Sequence, residues 1–219
     1  MDFVKARFNM VEQQIRPWDV LDFDLLDALG EIPREEFVAE NQRDYAYADR
    51  SLPLPNGGTM LEAKIVARLV QGLALKKTDR VLEIGTGSGY ATALLARLAG
   101  EVVTLDIDGV QQKRAKVVLD GLGYANIVYR TGDGFAQKDA AAPFDAVYVG
   151  GAVPSVPDIL KEQLKEGGRL VVVAGEAPVQ RAKRITRLPD GRFAQSNLFD
   201  TLIPCLSSPA LHPASKFSF

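Results

Sequence analysis

The sequence predicts an α/β fold built on a doubly wound, mostly parallel sheet, and three observations carry that prediction. From Asp79 onward, short aliphatic and β-branched runs alternate with stretches of helical spacing, the pattern of strand–helix units around a parallel sheet. Arg80-Val81-Leu82-Glu83-Ile84 runs into Gly85-Thr86-Gly87-Ser88-Gly89 and then into an apolar helical pattern from Ala91 to Leu98, which reads as buried strand, glycine turn and helix start. Val102-Val103-Thr104-Leu105-Asp106 is a second extended run that ends in an acid about twenty residues after Gly85.

Taken in order, Val4, Phe8, Val11 and Ile15 predict a first helix over 3–15 that ends before Pro17. A second helix is expected over 21–29, stopped by Gly30, and a turn with a short helical piece over 32–38. These segments form a helical cap on the later sheet. Residues 44–59 hold two prolines and two glycines and are expected to lack regular structure, as a functional loop does. Helical spacing resumes over 60–73, with Thr59 as N-cap and Glu62 completing a capping box. Strands are expected at 80–84, 102–106, 126–130, 144–149 and 168–173, with helices near 89–99, 108–121 and 156–164. Gly167-Gly168 marks the turn into the fifth of these strands. The segments 182–187 and 192–202 flank Leu188-Pro189-Asp190-Gly191, a turn signal for a C-terminal antiparallel hairpin. The implied organisation is a cap and substrate region over 1–60, a nucleoside-binding core over 61–206, and a loose tail over 207–219.

The glycine loop has a specific chemistry. Glycine takes φ > 0 and lets a ligand approach where a Cβ would clash, and the helix that follows presents unpaired N–H groups. No Gly-Lys-Ser/Thr ending is present, so this is not a phosphate-cradling P-loop, and Gly85-x-Gly87-x-Gly89 departs from the dinucleotide spacing Gly-x-Gly-x-x-Gly. Asp106 stands where a carboxylate clamps both ribose hydroxyls. Ligands of doubly wound sheets gather at the C-terminal ends of strands. Four stretches lie there: Gly85 to Gly89, Asp106, Gly132-Asp133-Gly134 and Gly150-Gly151-Ala152. Asp133, flanked by glycines, is expected to turn its carboxylate towards an exocyclic amine.

Composition narrows the function. With 219 residues, 47% of them hydrophobic, the chain can bury a substantial core. The net charge of −2 gives no reason to expect a nucleic-acid partner. Arg181, Lys183, Arg184, Arg187 and Arg192 are read as the solvated face and edge protection of the hairpin. The single cysteine, Cys205, excludes an internal disulfide and a cysteine zinc site, and its apolar neighbours predict a packed thiol. The single histidine, His212, lies in a Pro- and Ser-rich tail, which argues against a Ser/His/Asp triad and a histidine metal site. Neither a signal peptide nor a membrane span is visible, so a cytoplasmic protein is expected.

The residues also carry a family resemblance. Val81 to Tyr90, Pro33-Arg34-x-x-Phe37-Val38, Ala46-Tyr47-x-Asp49-x-x-Leu52-Pro53, Gly123-Tyr124-x-Asn126, Gly132-Asp133-Gly134, Ala142-Pro143-Phe144-Asp145-Ala146 and Gly167-Gly168-Arg169-Leu170-Val171 together resemble the protein-L-isoaspartate O-methyltransferases. These belong to the class I S-adenosylmethionine-dependent methyltransferases, whose fold is Rossmann-like. The resemblance implies S-adenosylmethionine as methyl donor, held by Glu83, Gly85, Thr86, Gly87, Gly89, Asp106, Ile107, Asp133 and Gly134. It also implies that the stretch over 52–63 covers the donor and lines the acceptor pocket. Thr59 is the first residue for substrate positioning, with Leu54, Asn56, Gly57, Gly58, Glu62, Gly150 and Gly151 around it. The acceptor implied is the free α-carboxylate of an isoaspartyl residue in a damaged protein. A carboxylate is already ionised at neutral pH, so such a transfer needs alignment and exclusion of water rather than a general base.

The chain departs from this family at two places. The family's Gly-Gln-Thr-Ile-Ser reads here Gly57-Gly58-Thr59-Met60-Leu61, so the active-site serine falls on Leu61, and Glu62 follows where a charge would oppose an anionic acceptor. Gly150-Gly151-Ala152 replaces the usual Thr-Ala-Ala. Two alternatives stand beside isoaspartyl methylation. One is a divergent relative that binds the same donor but methylates another acceptor or only binds; the other is a nicotinamide-dependent oxidoreductase, against which the glycine spacing counts.

Overall fold

The computed structural model of the protein describes residues 1–211. Asp2 starts α1 (Phe3–Met10) by accepting from the Lys5 N–H at 3.0 Å. The expected first helix is α-helical only this far. Val11–Ile15 widens into a π turn and Arg16–Trp18 tightens into a 3₁₀ turn, because Pro17 has no N–H to donate and crowds the preceding turn. In α2 (Phe23–Glu31), Gly30 does not end the helix as expected. The stop comes at Ile32, held extended at ψ 120° by the proline that follows it. A 3₁₀ turn at Arg34–Phe37 follows.

The loop after Tyr45 is more regular than expected. Two short antiparallel strands, β1 (Leu52–Pro53) and β2 (Thr59–Met60), pair Leu52 with Met60, and the burial of both side chains closes the loop into a small hairpin. Thr59 therefore sits in β2 and does not cap α3 (Ala63–Leu73), whose N-cap is Glu62 with no side-chain capping bond.

The core is a seven-stranded sheet. Its strands are β3 (Arg80–Ile84), β4 (Glu101–Asp106), β5 (Ile127–Thr131), β6 (Phe144–Val153), β7 (Leu164–Glu176), β8 (Val179–Arg187) and β9 (Phe193–Thr201). They lie in the order β5-β4-β3-β6-β7-β8-β9, the first five parallel and the last two antiparallel. The doubly wound sheet and its antiparallel C-terminal strands are as the sequence predicts. The helices between strands are α4 (Tyr90–Leu98), α5 (Gly109–Gly121) and the short α6 (Asp158–Glu162). Strand residues alternate between two buried layers, Val81, Val102, Ala146 and Val171 facing α3 and α4, and Leu82, Val103, Val147 and Leu170 facing α6. The N-terminal helices join the first layer through Met10, Ile15, Leu25 and Leu29.

Three further expectations change. Gly167-Gly168 is a bulge within β7 rather than a turn before it, since Leu164 already pairs with Phe144 and Arg169 with Ala146. β8 lies between β7 and β9, so its cationic residues guard no edge; Arg181 pairs with Asp200 at 2.9 Å and Arg187 donates to the Leu164 carbonyl at 2.7 Å. The segment after β9 is not loose at Ser208. It returns across β6, where Ala152 exchanges backbone bonds with Pro204 and Leu206 at 2.9 Å, and Ser208 is buried. His212 lies outside the described residues. No helix among the described residues is long and apolar enough to cross a membrane.

Candidate functional site

The sheet order reverses at β3, which has β4 on one side and β6 on the other. The site forms above the C-terminal ends of these strands, as the topology of doubly wound sheets demands. Gly85, Gly87 and Gly89 take φ of +91°, +52° and +89°, the left-handed region that the sequence required of them. Their reasons differ. A Cβ on Gly89 would press on Ala115 of α5 at 3.1 Å, so that glycine lets two helices pack. Gly85 faces the cleft, and a Cβ on its neighbour Gly150 would meet the Gly85 carbonyl at 2.8 Å. The tops of β3 and β6 are brought together by the absence of side chains.

Asp106 ends β4 with its carboxylate fixed sideways: Oδ2 accepts from the Gly87 N–H and Oδ1 from the Asp108 N–H, both at 2.9 Å. Asp108 in turn starts α5, accepting from the N–H groups of Val110 and Gln111 at 2.9 and 3.1 Å. The carboxylate thus braces the glycine loop while it lines the cleft.

Under the loop lies a buried polar network. Glu83 Oε2 accepts from Thr92 at 2.6 Å and Thr104 at 2.7 Å, and Glu83 Oε1 has no partner. Thr86 and Thr104 share a hydroxyl bond at 2.7 Å, and Gln112 donates to Thr86 at 3.0 Å. Burial pushes the Glu83 carboxyl up to about 8, against the opposing pull of the two threonines. Glu83 and Thr86, which the resemblance implies as donor contacts, tie β3, β4 and α4 together beneath the glycine loop. They and Gly89 do not line the main cleft.

The cleft brings together most of the residues expected from the sequence: Leu54, Asn56, Gly57, Gly58, Thr59 and Leu61 from the hairpin side, Gly85, Gly87, Asp106, Ile107, Asp133 and Gly134 from the strand ends, and Gly150 and Gly151 from β6. Asp133 is constrained more than expected. Its Oδ1 accepts from the Phe135 N–H at 2.9 Å and its Oδ2 from the Ser208 hydroxyl at 2.7 Å, so the returning C-terminal segment orients it. Glu62 is not in the wall; it faces Lys64 at 3.6 Å, and Lys64 is shared with Asp49 at 2.7 Å. The expected repulsion of an anionic acceptor by Glu62 is therefore partly neutralised and displaced from the cleft. Leu61 does line it, buried and without a hydroxyl.

Several lining residues were not anticipated: Ile84, Leu105, Asp108, Phe135, Pro204, Cys205, Leu206 and Ser207. The first three flank expected positions and were legible in principle. The last four reach the cleft only because the chain returns over β6, which no local pattern announces. Cys205, expected to be packed, is exposed at this wall. The hairpin side and the strand side are joined by a side-chain bond from Asn56 Nδ2 to Asp108 Oδ2 at 3.0 Å.

These residues fit an adenosyl sulfonium. A bare-backbone floor at Gly85 and Gly150 admits close approach, a carboxylate at Asp106 suits a diol, and Ile84, Leu105, Ile107 and Phe135 offer an apolar slot for a flat base.

Comparisons with known proteins agree with this geometry. The profile of the family described as protein-L-isoaspartate(D-aspartate) O-methyltransferase matches residues 7–208. A protein of Koribacter versatilis named protein-L-isoaspartate O-methyltransferase is 39% identical over 213 residues, covering 97% of this chain and 96% of that one. A Syntrophus aciditrophicus protein of the same name is 44% identical over 188 residues, covering 86% of each chain. A solved structure of a protein-L-isoaspartate O-methyltransferase superposes with a TM-score of 0.79 at 27% identity, over 94% of this chain and 66% of that one. One from Plasmodium falciparum, in complex with S-adenosyl-L-homocysteine, gives 0.77 at 20% identity over 94% of this chain and 99% of that one, which speaks for the fold. With the glycine loop, the acid at the end of β4 and the overlying hairpin in place, the chain belongs to the protein-L-isoaspartate O-methyltransferase family of S-adenosylmethionine-dependent enzymes.

Proposed function

We propose that this chain methylates the free α-carboxylate of isoaspartyl residues in peptides and proteins, between a donor half at the strand ends and an acceptor half in the β1–β2 hairpin. The observation that supports it best is a single cleft whose wall joins Gly85, Gly87 and Asp106 to Thr59 and the 54–58 loop. When bound, the donor supplies a methyl group on a positively charged sulfur. Asp106 holds the ribose hydroxyls, the glycines admit the sulfonium end, and Asp133 with Gly134 bounds the adenine. Thr59 is the hydroxyl-bearing side chain that the β1–β2 hairpin gives to the cleft, and Gly57, Gly58 and Gly150 offer backbone groups with no side chain in the way.

The chemistry asks for no proton transfer. A carboxylate oxygen forms a bond to the methyl carbon as the carbon–sulfur bond breaks, and opposite charges disappear together. The work left to the chain is to align the two groups and exclude water, which the apolar Leu54, Leu61 and Leu206 around the cleft provide. Glu83 is not a base here, being sealed beneath the loop. The implied setting is the cytoplasm, with damaged peptides and proteins as partners rather than nucleic acid.

The test is transfer of labelled methyl to an isoaspartyl peptide, with the matching aspartyl peptide as control. Turnover of the isoaspartyl form alone is the expected result. Binding of S-adenosylhomocysteine without turnover would move the reading to another acceptor, which the absence of a hydroxyl at Leu61 favours.

A further inference from the structure

Arg34 belongs to a sequence motif to which the proposed function assigns no role. It is fully buried, with 0% of its surface exposed. Its Nε donates to the Ala46 carbonyl at 2.8 Å and its Nη2 to the Leu61 carbonyl at 2.7 Å, while its guanidinium stacks over the Tyr90 ring at 4.6 Å. Nη1 is buried without a hydrogen-bond partner, and so is the neighbouring Tyr90 hydroxyl.

The charge is unanswered as well. Among the described residues no carboxylate lies within 4 Å of Arg34. Glu35, next in sequence, is taken by Arg7 at 3.3 Å and by the Tyr47 hydroxyl, and Glu62 is turned to Lys64 at 3.6 Å. Burying a guanidinium without a counter-ion is unfavourable. Tethering two carbonyls does not require a full charge, since a neutral donor would serve. The tether leaves both the charge and Nη1 over.

The position of the surplus matters. Arg34 forms one wall of a small recess together with Thr59, Leu61, Tyr90 and Gly150. Thr59, Leu61 and Gly150 also line the main cleft, so the recess and the acceptor path share their walls. We propose that Arg34 is the buried counter-charge of the acceptor pocket, drawing the substrate's carboxylate to the floor formed by Thr59, Leu61 and Gly150. This rests on the carboxylate acceptor proposed above. It also gives the Leu61 wall a source of anion affinity that needs no hydroxyl at that position, because a cation in a dry site acts on an anion over several ångströms. Arg34 acts from behind the wall and is a specificity-determining residue, not a catalytic one.

The test uses the full chain saturated with S-adenosylhomocysteine, so that no turnover occurs. Calorimetry compares an isoaspartyl peptide with its α-carboxamide analogue, for the wild type, Arg34→Met and Arg34→Lys. The wild type is expected to prefer the carboxylate by about tenfold or more. Arg34→Met is expected to lose that preference while keeping its affinity for S-adenosylhomocysteine within about twofold, and Arg34→Lys to retain a part of it. Arg34→Lys keeps the charge without the fork, and thus separates charge from tethering if Arg34→Met folds poorly. Equal wild-type affinity for the two peptides, binding of neither, or a preference that survives Arg34→Met overturns the counter-charge. Labelled methyl transfer by the wild type is scored separately. Turnover without the predicted preference removes the Arg34 role alone, and preference without turnover removes the methylation reading alone.

Discussion

The two halves of the cleft are built on different principles. The half proposed for the donor is held by bonds within the chain: Thr92 and Thr104 on Glu83 and Gln112 on Thr86 beneath the glycine loop, and the Gly87 and Asp108 N–H groups on Asp106 at the cleft wall. The acceptor half is a hairpin of two-residue strands closed by its own backbone, Leu54 N–H to the Gly58 carbonyl at 2.9 Å and Gly57 N–H to the Leu54 carbonyl at 3.0 Å. Its anchors are Leu52, Met60 and Leu61 below, while Asn56 and Gly57 face solvent. The first is tied by side-chain bonds between β3, β4, α4 and α5; the second is closed by a few local backbone bonds. This chain's departures from its family fall at Gly58, Leu61 and Glu62 in and beside the hairpin, and at Gly150 and Gly151 on β6.

The largest effect is expected at Glu83, a carboxyl fully buried beneath the glycine loop. Burial raises the Glu83 pKa to about 8 from its ordinary value of 4.5, so the native state binds a proton that the unfolded chain has lost between those values. Its contribution is therefore fully present below the unfolded pKa and declines as pH rises, by about 1.4 kcal/mol per unit, until the native pKa is passed. Glu83→Gln is neutral throughout. Its stability relative to wild type is expected to rise by a few kcal/mol between pH 5 and pH 8 and then level off. Chemical denaturation at four pH values checks this, and a flat difference would mean that Glu83 is ionised in place.

Next in size is Gly150→Val. A Cβ already meets the Gly85 carbonyl at 2.8 Å, and the strand tops must part to admit the larger side chain, at about 1–3 kcal/mol. Thermal melting reads that stability cost; calorimetry with S-adenosylhomocysteine should show weaker donor binding from a folded variant, and full affinity would break the claim that bare backbone defines the floor. Asp106→Ala comes close behind. It removes the proposed ribose contacts and frees two backbone donors, with an expected loss of about 1–3 kcal/mol in donor binding. An unchanged dissociation constant would rule out the ribose assignment.

The smallest effect is expected in the acceptor half. Leu61→Ser restores the family's hydroxyl and should raise isoaspartyl turnover by up to about tenfold, or about 1.4 kcal/mol in the barrier. Losing a buried leucine costs about 2–5 kcal/mol of stability on the scale of a Leu→Ala change, so thermal melting accompanies the assay. No gain from a folded variant would show that the hairpin's hydroxyl is dispensable, and would leave Arg34 as the main source of anion affinity.

Where the sequence was legible, short-range periodicity carried the information. The strands from β3 to β7, the glycine loop and Asp106 each sit within one strand–turn–helix unit, where hydrophobic spacing and φ > 0 at glycine dictate the backbone locally. The misreadings are of another kind. Thr59 looked like a helix cap because the motif is local, but pairing of Leu52 with Met60 placed it in a strand. Cys205 looked packed because its neighbours are apolar, but a parallel bridge to Ala152 turned it to the cleft.

Residues a few positions apart dictate the order of strands and helices, the glycine loop and the acid at the end of β4, so these are legible in the sequence. Contacts between distant segments settle the rest: Glu83 and Thr86 support the glycine loop from below, Ser208 orients Asp133, and Arg34 is buried beside Leu61 with Nη1 unpartnered. The physical reason is that burial and pairing of a polar group depend on which distant segments close over it. Asp133 and Ser208 are 75 residues apart, and Arg34 and Leu61 are 27 apart.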